Sequence, residues 1–238
     1  MTILPTITLG ICSDTHGEQL PHWPGHKIHA VLHGGDVYHA PTLAHGDNYA
    51  NPRAWAAAQS VPVLAVRGNH DYRDPDGFLD LAEDISSRLY RIAAGLWVAG
   101  VGFAPEWYCD TPGERDLEPQ CRDLIRMASR QVMPGERIIL LTHYPPRLPE
   151  LPCDEASAGC AYGCVADLME TLGPIAVVFG HKHDWFGLRW RRAAGTLLVS
   201  PGPLGGVFTI RANSEVVFEA GTAFNDDKNS VDSAESTR

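Results

Sequence analysis

The sequence predicts an α/β domain that carries its chemistry at the carboxyl ends of buried strands. Three observations lead there. Short apolar runs such as Val61–Val66 and Ile175–Phe179 lack the polar alternation of a half-exposed sheet, so they read as strands covered on both faces. Five such runs each stop in a cluster of Gly, Asp, Asn or His. Helical stretches lie between them, and in open α/β sheets the carboxyl ends of the strands are where ligands bind.

Composition sets the outer limits. The chain has 238 residues, 44% of them hydrophobic, enough for one large domain with a full core. Its formal charge of -10 is opposite in sign to the basic face of a general nucleic-acid binder. No apolar run reaches membrane-spanning length, and Met1-Thr2-Ile3-Leu4-Pro5 lacks the basic and long apolar regions of a signal peptide. The expectation is a cytoplasmic protein with no membrane partner. Oligomeric state is not legible. Residues 1–221 read as one domain, and 222–238 as an acidic, disordered tail with little to bury.

The first strand is Thr6–Cys12, running into Ser13-Asp14-Thr15-His16-Gly17. Asp14 and His16 are two apart, so an extended segment turns both to one side, half of a site for an ion that accepts O and N ligands. Taken alone, the pair would also suit a polar turn. A second strand, His29–His33, leads into Gly34-Gly35-Asp36, where two glycines let the backbone turn tightly and bring a carboxylate close to a charge. Asp36 could bridge two cations, or cap a helix. Pro52–Gln59 reads as a helix with Asn51 as its cap and Pro52 at its first position. The third strand, Val61–Val66, ends in Arg67-Gly68-Asn69-His70-Asp71. Asn69 offers a carbonyl oxygen to a hard metal and His70 a titrating imidazole.

After Asp74-Pro75-Asp76, the spacing of Phe78, Leu79, Leu81, Ile85 and Leu89 predicts a helix that only packs the core. Leu96–Gly102 is a further strand. Residues 105–135 form a polar insertion with a helix around Arg122–Met127. Arg137–Thr142 is another buried strand, ended by His143 and the loop-fixing Pro145 and Pro146. The loop 147–163 is long enough to overhang a site as a substrate-facing lip, with Arg147 as a candidate phosphate contact. Ile175–Phe179 ends in Gly180-His181-Lys182-His183-Asp184, whose paired histidines are the sharpest local metal signal. Thr196–Ser200, Gly206–Ile210 and Glu215–Glu219 read as antiparallel strands closing a second sheet.

The six cysteines do not suit a disulfide-stapled miniprotein, because the chain is too long and core-rich. Cys153, Cys160 and Cys164 could be three ligands of a small zinc site, but their spacing fits no common zinc module, and buried or partly exposed free thiols are the preferred reading.

In order, Asp-x-His, Gly-Asp, Gly-Asn-His-Asp, His and Gly-His-x-His span positions 14 to 183 and resemble the motifs of the calcineurin-like metallophosphoesterases. The resemblance implies a four-layer α/β/β/α sandwich of two mixed sheets with a dinuclear metal centre. It implies that Asp14, His16, Asp36 and His183 hold one ion, that Asp36, Asn69, His143 and His181 hold the other, and that Asp36 bridges. His70 would be the general acid just outside the metals, oriented by Asp71, with Asn69 and His70 facing substrate. Mixed oxygen and imidazole ligands suit Mn²⁺ first, with Fe, Zn²⁺ or Ni²⁺ as alternatives.

The implied reaction is hydrolysis of a small phosphoester, foremost a phosphodiester, by in-line attack of a metal-bridging hydroxide. A phosphomonoester or a nucleotide pyrophosphate is the alternative on the same site. The alternative of another class is a non-catalytic scaffold on this fold. A nuclease would need a basic lip, for which Arg147, Arg189, Arg191 and Arg192 are the candidates. His39 stands where purple acid phosphatases place a tyrosine ligand, and Gly35-Asp36-Val37-Tyr38-His39 departs from the protein Ser/Thr phosphatase motif. The nearer likeness is to small, single-domain bacterial and archaeal phosphoesterases.

Overall fold

A computed structural model describes residues 5–17, 20–38, 51–71, 77–103, 112–151, 161–212 and 215–221. The acidic tail 222–238, His39, Cys109, Cys153, Cys160 and the segment 104–111 lie outside the described residues.

Two six-stranded mixed sheets stack face to face. The first uses β1 (Ile7–Cys12), β2 (Ala30–His33), β3 (Val63–Ala65), β4 (Glu83–Asp84), β11 (Gly206–Ile210) and β12 (Val216–Ala220) in the order β12-β11-β1-β2-β3-β4. The second uses β5 (Leu89–Ala93), β6 (Leu96–Val101), β7 (Arg137–Thr142), β8 (Ala176–Val178), β9 (Arg189–Arg191) and β10 (Leu197–Val199) in the order β5-β6-β7-β8-β10-β9. Strands β1 to β4 are parallel to one another, as are β6, β7, β8 and β10.

The alternation along each strand builds the layers. In β7, Ile139 and Leu141 enter a core shared with Leu9, Ile11, Leu32, Leu64 and Phe208 of the other sheet, while Ile138 and Leu140 face outward. The outward face packs under α3 (Glu114–Gln131) and α4 (Gly163–Leu172), through Leu117, Leu124, Val165 and Leu168. On the far side, Val31, Val63 and Ala65 pack under Trp55 of α1 (Pro52–Ala58) and Phe78 of α2 (Phe78–Leu81). The result is the expected four-layer sandwich.

Local signals explain several elements. The Asn51 side chain accepts from the Ala54 N–H at 2.8 Å and Pro52 opens α1. Helix α3 is longer than expected and runs through Pro119, whose missing N–H loses one helical bond. Leu117, Cys121, Leu124 and Ala128 are buried along the same face and hold it straight onto the sheet and α4. Cys164 is a buried free thiol at the start of α4, beside Cys121.

Three expectations are corrected. The helix over 78–89 is a single turn, followed by β4 and β5. Phe78 and Ile85 are both buried but in different cores, so their helical spacing came from two layers and not from one helix face. Thr196–Ser200 yields β10, which is parallel to β8, and the antiparallel strand at that edge is β9. Strands β11 and β12 do not close the second sheet. They return to the first, where β11 pairs antiparallel with β1. No described helix is long and apolar enough to cross a membrane.

Candidate metal centre

The five strand ends meet in one place. Sheet one contributes the turns after β1, β2 and β3, and sheet two the ends of β7 and β8. Three overlapping groups of ligand atoms lie within 4.8 Å of one another: Asp14, His16 and His183; His16, Asp36 and His70; Asp14, Asp36 and His143. Asn69 completes the cluster, with its Oδ1 at 3.2 Å from His143 Nε2 and 2.9 Å from His181 Nδ1. All seven residues expected to hold ions are therefore brought together, and so is His70.

Backbone carbonyls decide which imidazole nitrogen faces the centre. His143 Nδ1 sits 2.9 Å from the Gly34 carbonyl and His16 Nδ1 3.0 Å from the Tyr38 carbonyl. A carbonyl only accepts, so each Nδ1 carries the proton and each Nε2 presents its lone pair inward. Burial holds His143 neutral, pushing it down to about 4. The His143 lone pair looks at other acceptors, Asn69 Oδ1 at 3.2 Å and Asp36 Oδ2 at 3.4 Å, while His16 Nε2 is 3.3 Å from His183 Nε2.

Asp14 adds a second sign of the same kind. It is 2% exposed, its Oδ1 accepts the His181 N–H at 2.9 Å, and its Oδ2 is buried without a hydrogen-bond partner. Burial alone would raise its pKa, but the nearby His183, His143 and His16 hold it down at about 2, so it is ionised. Ionised carboxylates, inward lone pairs and an orphaned buried oxygen repel one another unless cations sit among them. The donor set fits divalent ions that take oxygen and imidazole ligands, with no thiolate present.

The backbone is also bent to this purpose. Asp14, His16, Asp36 and His181 have φ of 53, 48, 54 and 70°, left-handed values that L-residues avoid. Four of the five non-glycine residues with positive φ among those described are thus ligand candidates. Glycine makes the remaining room: a Cβ on Gly180 would collide with Asp14 Oδ2, and one on Gly68 with Asp36 Oδ1. We expect Gly180→Ala to cost about 1–3 kcal/mol of stability by overpacking and to lower metal content. Urea melts and elemental analysis check this; an unchanged midpoint with full metal would mean that Asp14 can move aside.

His70 stands at the mouth. Its N–H donates to Asp36 Oδ1 at 2.8 Å, its Nε2 lies 3.8 Å from Asp36 Oδ2, and its ring meets His16 edge-on at 4.8 Å. Asp71 does not have the orienting role expected of it. Its carboxylate is fully buried and accepts four backbone N–H groups, from Asp36, Val37, Tyr38 and Gly68, at 2.8, 2.9, 3.2 and 2.9 Å. Four acceptor positions are thereby filled, leaving none for the His70 ring. Asp71 instead ties the turn after β2 to the turn after β3.

Arg147 stands apart from the cluster. It does not line the cleft beside the cluster, and its Nη2 donates to the Ala161 carbonyl at 3.0 Å and lies 3.6 Å from Glu114, at the junction of α3 and α4. Arg191 and Arg192 are likewise held by Gly195, Val216, Glu150 and Glu170, which gives no support to a basic lip. Sequence reasoning passed over Tyr144, fully buried and edge-on to both His143 and His181 at 4.8 and 5.2 Å. Its only signal was its place next to His143.

Residues 7–185 match the sequence model of the calcineurin-like phosphoesterases. Among solved structures, the TT1561 protein of Thermus thermophilus superposes with a TM-score of 0.61 at 16% identity, covering 91% of this chain and 99% of that one. A proposed 5'-nucleotidase of Staphylococcus aureus, solved with alpha-ketoglutarate, gives 0.59 at 13% identity over 90% of this chain, which spans about half (53%) of that protein. The phosphopantetheinyl hydrolase of Mycobacterium tuberculosis gives 0.54 at 15% identity, covering 82% and 88%. At these identities the likeness is one of fold. No curated protein matches the sequence.

Proposed function

The chain belongs to the calcineurin-like phosphoesterases, metal-dependent hydrolases of phosphoesters, and from that premise we propose that it hydrolyses a small phosphodiester. The observation that supports a diester is the lining of the cleft above the donors. This cleft of about 280 Å³ is bounded by Asp36, Asn69, His70, His181, His183 and Asp184. It holds two carboxylates and, among the described residues, no Lys or Arg. A monoester arrives near neutral pH with close to two negative charges and is usually met by guanidinium or ammonium groups. A diester carries one charge and needs less.

Bound divalent cations, Mn²⁺ foremost, would supply Lewis acidity toward the phosphoryl oxygens and ionise water at neutral pH. Asp14, His16, Asp36, Asn69, His143, His181 and His183 would hold them. The rest falls to this chain's own groups. His70 is fixed through its backbone to Asp36, is 18% exposed at the side chain, and offers its ring to the leaving oxygen as proton donor. Asn69 shares the cleft and can donate its amide N–H to the phosphate while its Oδ1 faces the histidines. Asp71 acts one step back by holding the Asp36 turn.

The test compares bis-p-nitrophenyl phosphate with p-nitrophenyl phosphate on Mn²⁺-loaded protein. We expect kcat/KM for the diester to be higher by about tenfold or more, or about 1.4 kcal/mol of transition-state preference. The opposite ranking would overturn the diester and leave phosphoester hydrolysis standing.

A further inference from the structure

Two of the ligand-bearing turns lie side by side, Asp14–Gly17 after β1 and Gly35–Asp36 after β2. They are stitched directly by Asp14 N–H to the Gly35 carbonyl at 2.8 Å and His16 N–H to the Asp36 carbonyl at 3.1 Å. Both turns are left-handed at non-glycine residues, a strained conformation that persists only where the surroundings over-determine it. Something beneath must supply that constraint.

His33, the last residue of β2, occupies the position. It is fully buried, with its ring edge-on to Trp55 and Phe78 at 6.4 and 6.0 Å. Its Nδ1 receives the Gly35 N–H at 3.2 Å, and its Nε2 lies 3.0 Å from Thr15 Oγ1. A backbone N–H only donates, so Nδ1 is the acceptor and the ring proton sits on Nε2, pointed at Thr15. Thr15 lies between Asp14 and His16, and Gly35 precedes Asp36. One neutral ring therefore grips both turns at the residues between and beside the ligands.

We propose that His33, as the Nε2–H tautomer, is a positioning residue that holds the two turns at ligand spacing and so sets the affinity for the ion held by Asp14, His16, Asp36 and His183. It touches neither substrate nor ion and acts through Thr15 and Gly35. The proposal rests on the two-ion reading of the centre, and the experiment separates the two.

Equilibrium dialysis against Mn²⁺ counts and ranks the ions in the wild-type chain and in His33→Leu, His33→Gln and Thr15→Val. Ligand-supporting partners of this kind are worth about 10–100-fold in metal affinity, and we expect His33→Leu and Thr15→Val to weaken one ion by that factor. His33→Gln, whose amide can still donate toward Thr15, recovers most of it. The ¹⁵N spectrum of the Zn²⁺-loaded chain is expected to show His33 protonated on Nε2 alone. Thr15→Val changes only one buried hydroxyl and keeps the test open if His33→Leu does not fold. Wild-type Mn²⁺ binding in Thr15→Val, or a His33 proton on Nδ1, would overturn the proposal while the two-ion reading stands. A wild-type chain that binds fewer than two ions would overturn that reading, and with it the metal half of the proposal.

Discussion

Asp36→Asn is expected to remove bound metal and turnover together. Asp36 belongs to two of the three ligand groups, is 1% exposed, and faces the His143 and His70 rings through one oxygen. Removing its charge would weaken both donor groups that it joins. The exchange is a clean one. Asparagine tolerates the left-handed backbone that this position needs, and its Oδ1 can still accept the His70 N–H. The loss should be on the order of 10³-fold or more in kcat/KM, or about 4 kcal/mol. Elemental analysis and kinetics on the same preparation check it. Two ions per chain with ordinary activity would show that Asp36 bridges nothing.

His70→Ala is expected to keep both ions and to lose activity in proportion to how poor the leaving group is. An alkoxide or nucleoside oxygen needs a proton as it departs, and there the loss should be roughly 10²–10⁴-fold. A p-nitrophenolate needs none near neutral pH, so its loss should be much smaller. The competing role is visible in the geometry, because His70 shares a ligand group with His16 and Asp36. Loss of one ion in the variant would make His70 a ligand. Equal losses on both leaving groups would assign it to stabilising charge on the phosphate.

What the sequence disclosed was local. A run of Val, Ile and Leu ending in Gly-Asn-His or Gly-His-Lys-His states its own strand and its own polar groups, and so all seven residues that the fold brings together could be named before any fold was drawn. Partners far apart in sequence could not. The Asp71 carboxylate serves amides 33 to 35 residues away, which no reading of the pentapeptide around it could disclose. The role of the His33 ring was no easier to see, since its partners Thr15 and Gly35 show only when its nitrogens are followed. Sheet membership was equally hidden. β10 and β11 are both short apolar runs separated by glycines, and nothing in either says that one lies in the second sheet and the other in the first.

That crossing of β11 back to the first sheet has a consequence for how the protein is made. β1 is an inner strand, yet its antiparallel neighbour lies far along the chain: Ile7 pairs with Ile210. A growing chain that already displays Asp14, Asp36, Asn69 and His70 still has one edge of β1 unpaired until Gly206–Ile210 emerges. Pairings so distant in sequence close slowly, and an open strand edge invites association with other chains while it waits. The first sheet is therefore completed only after Gly206–Ile210 has been made. Asp14, at the end of β1, is thus carried by a strand whose second neighbour arrives late.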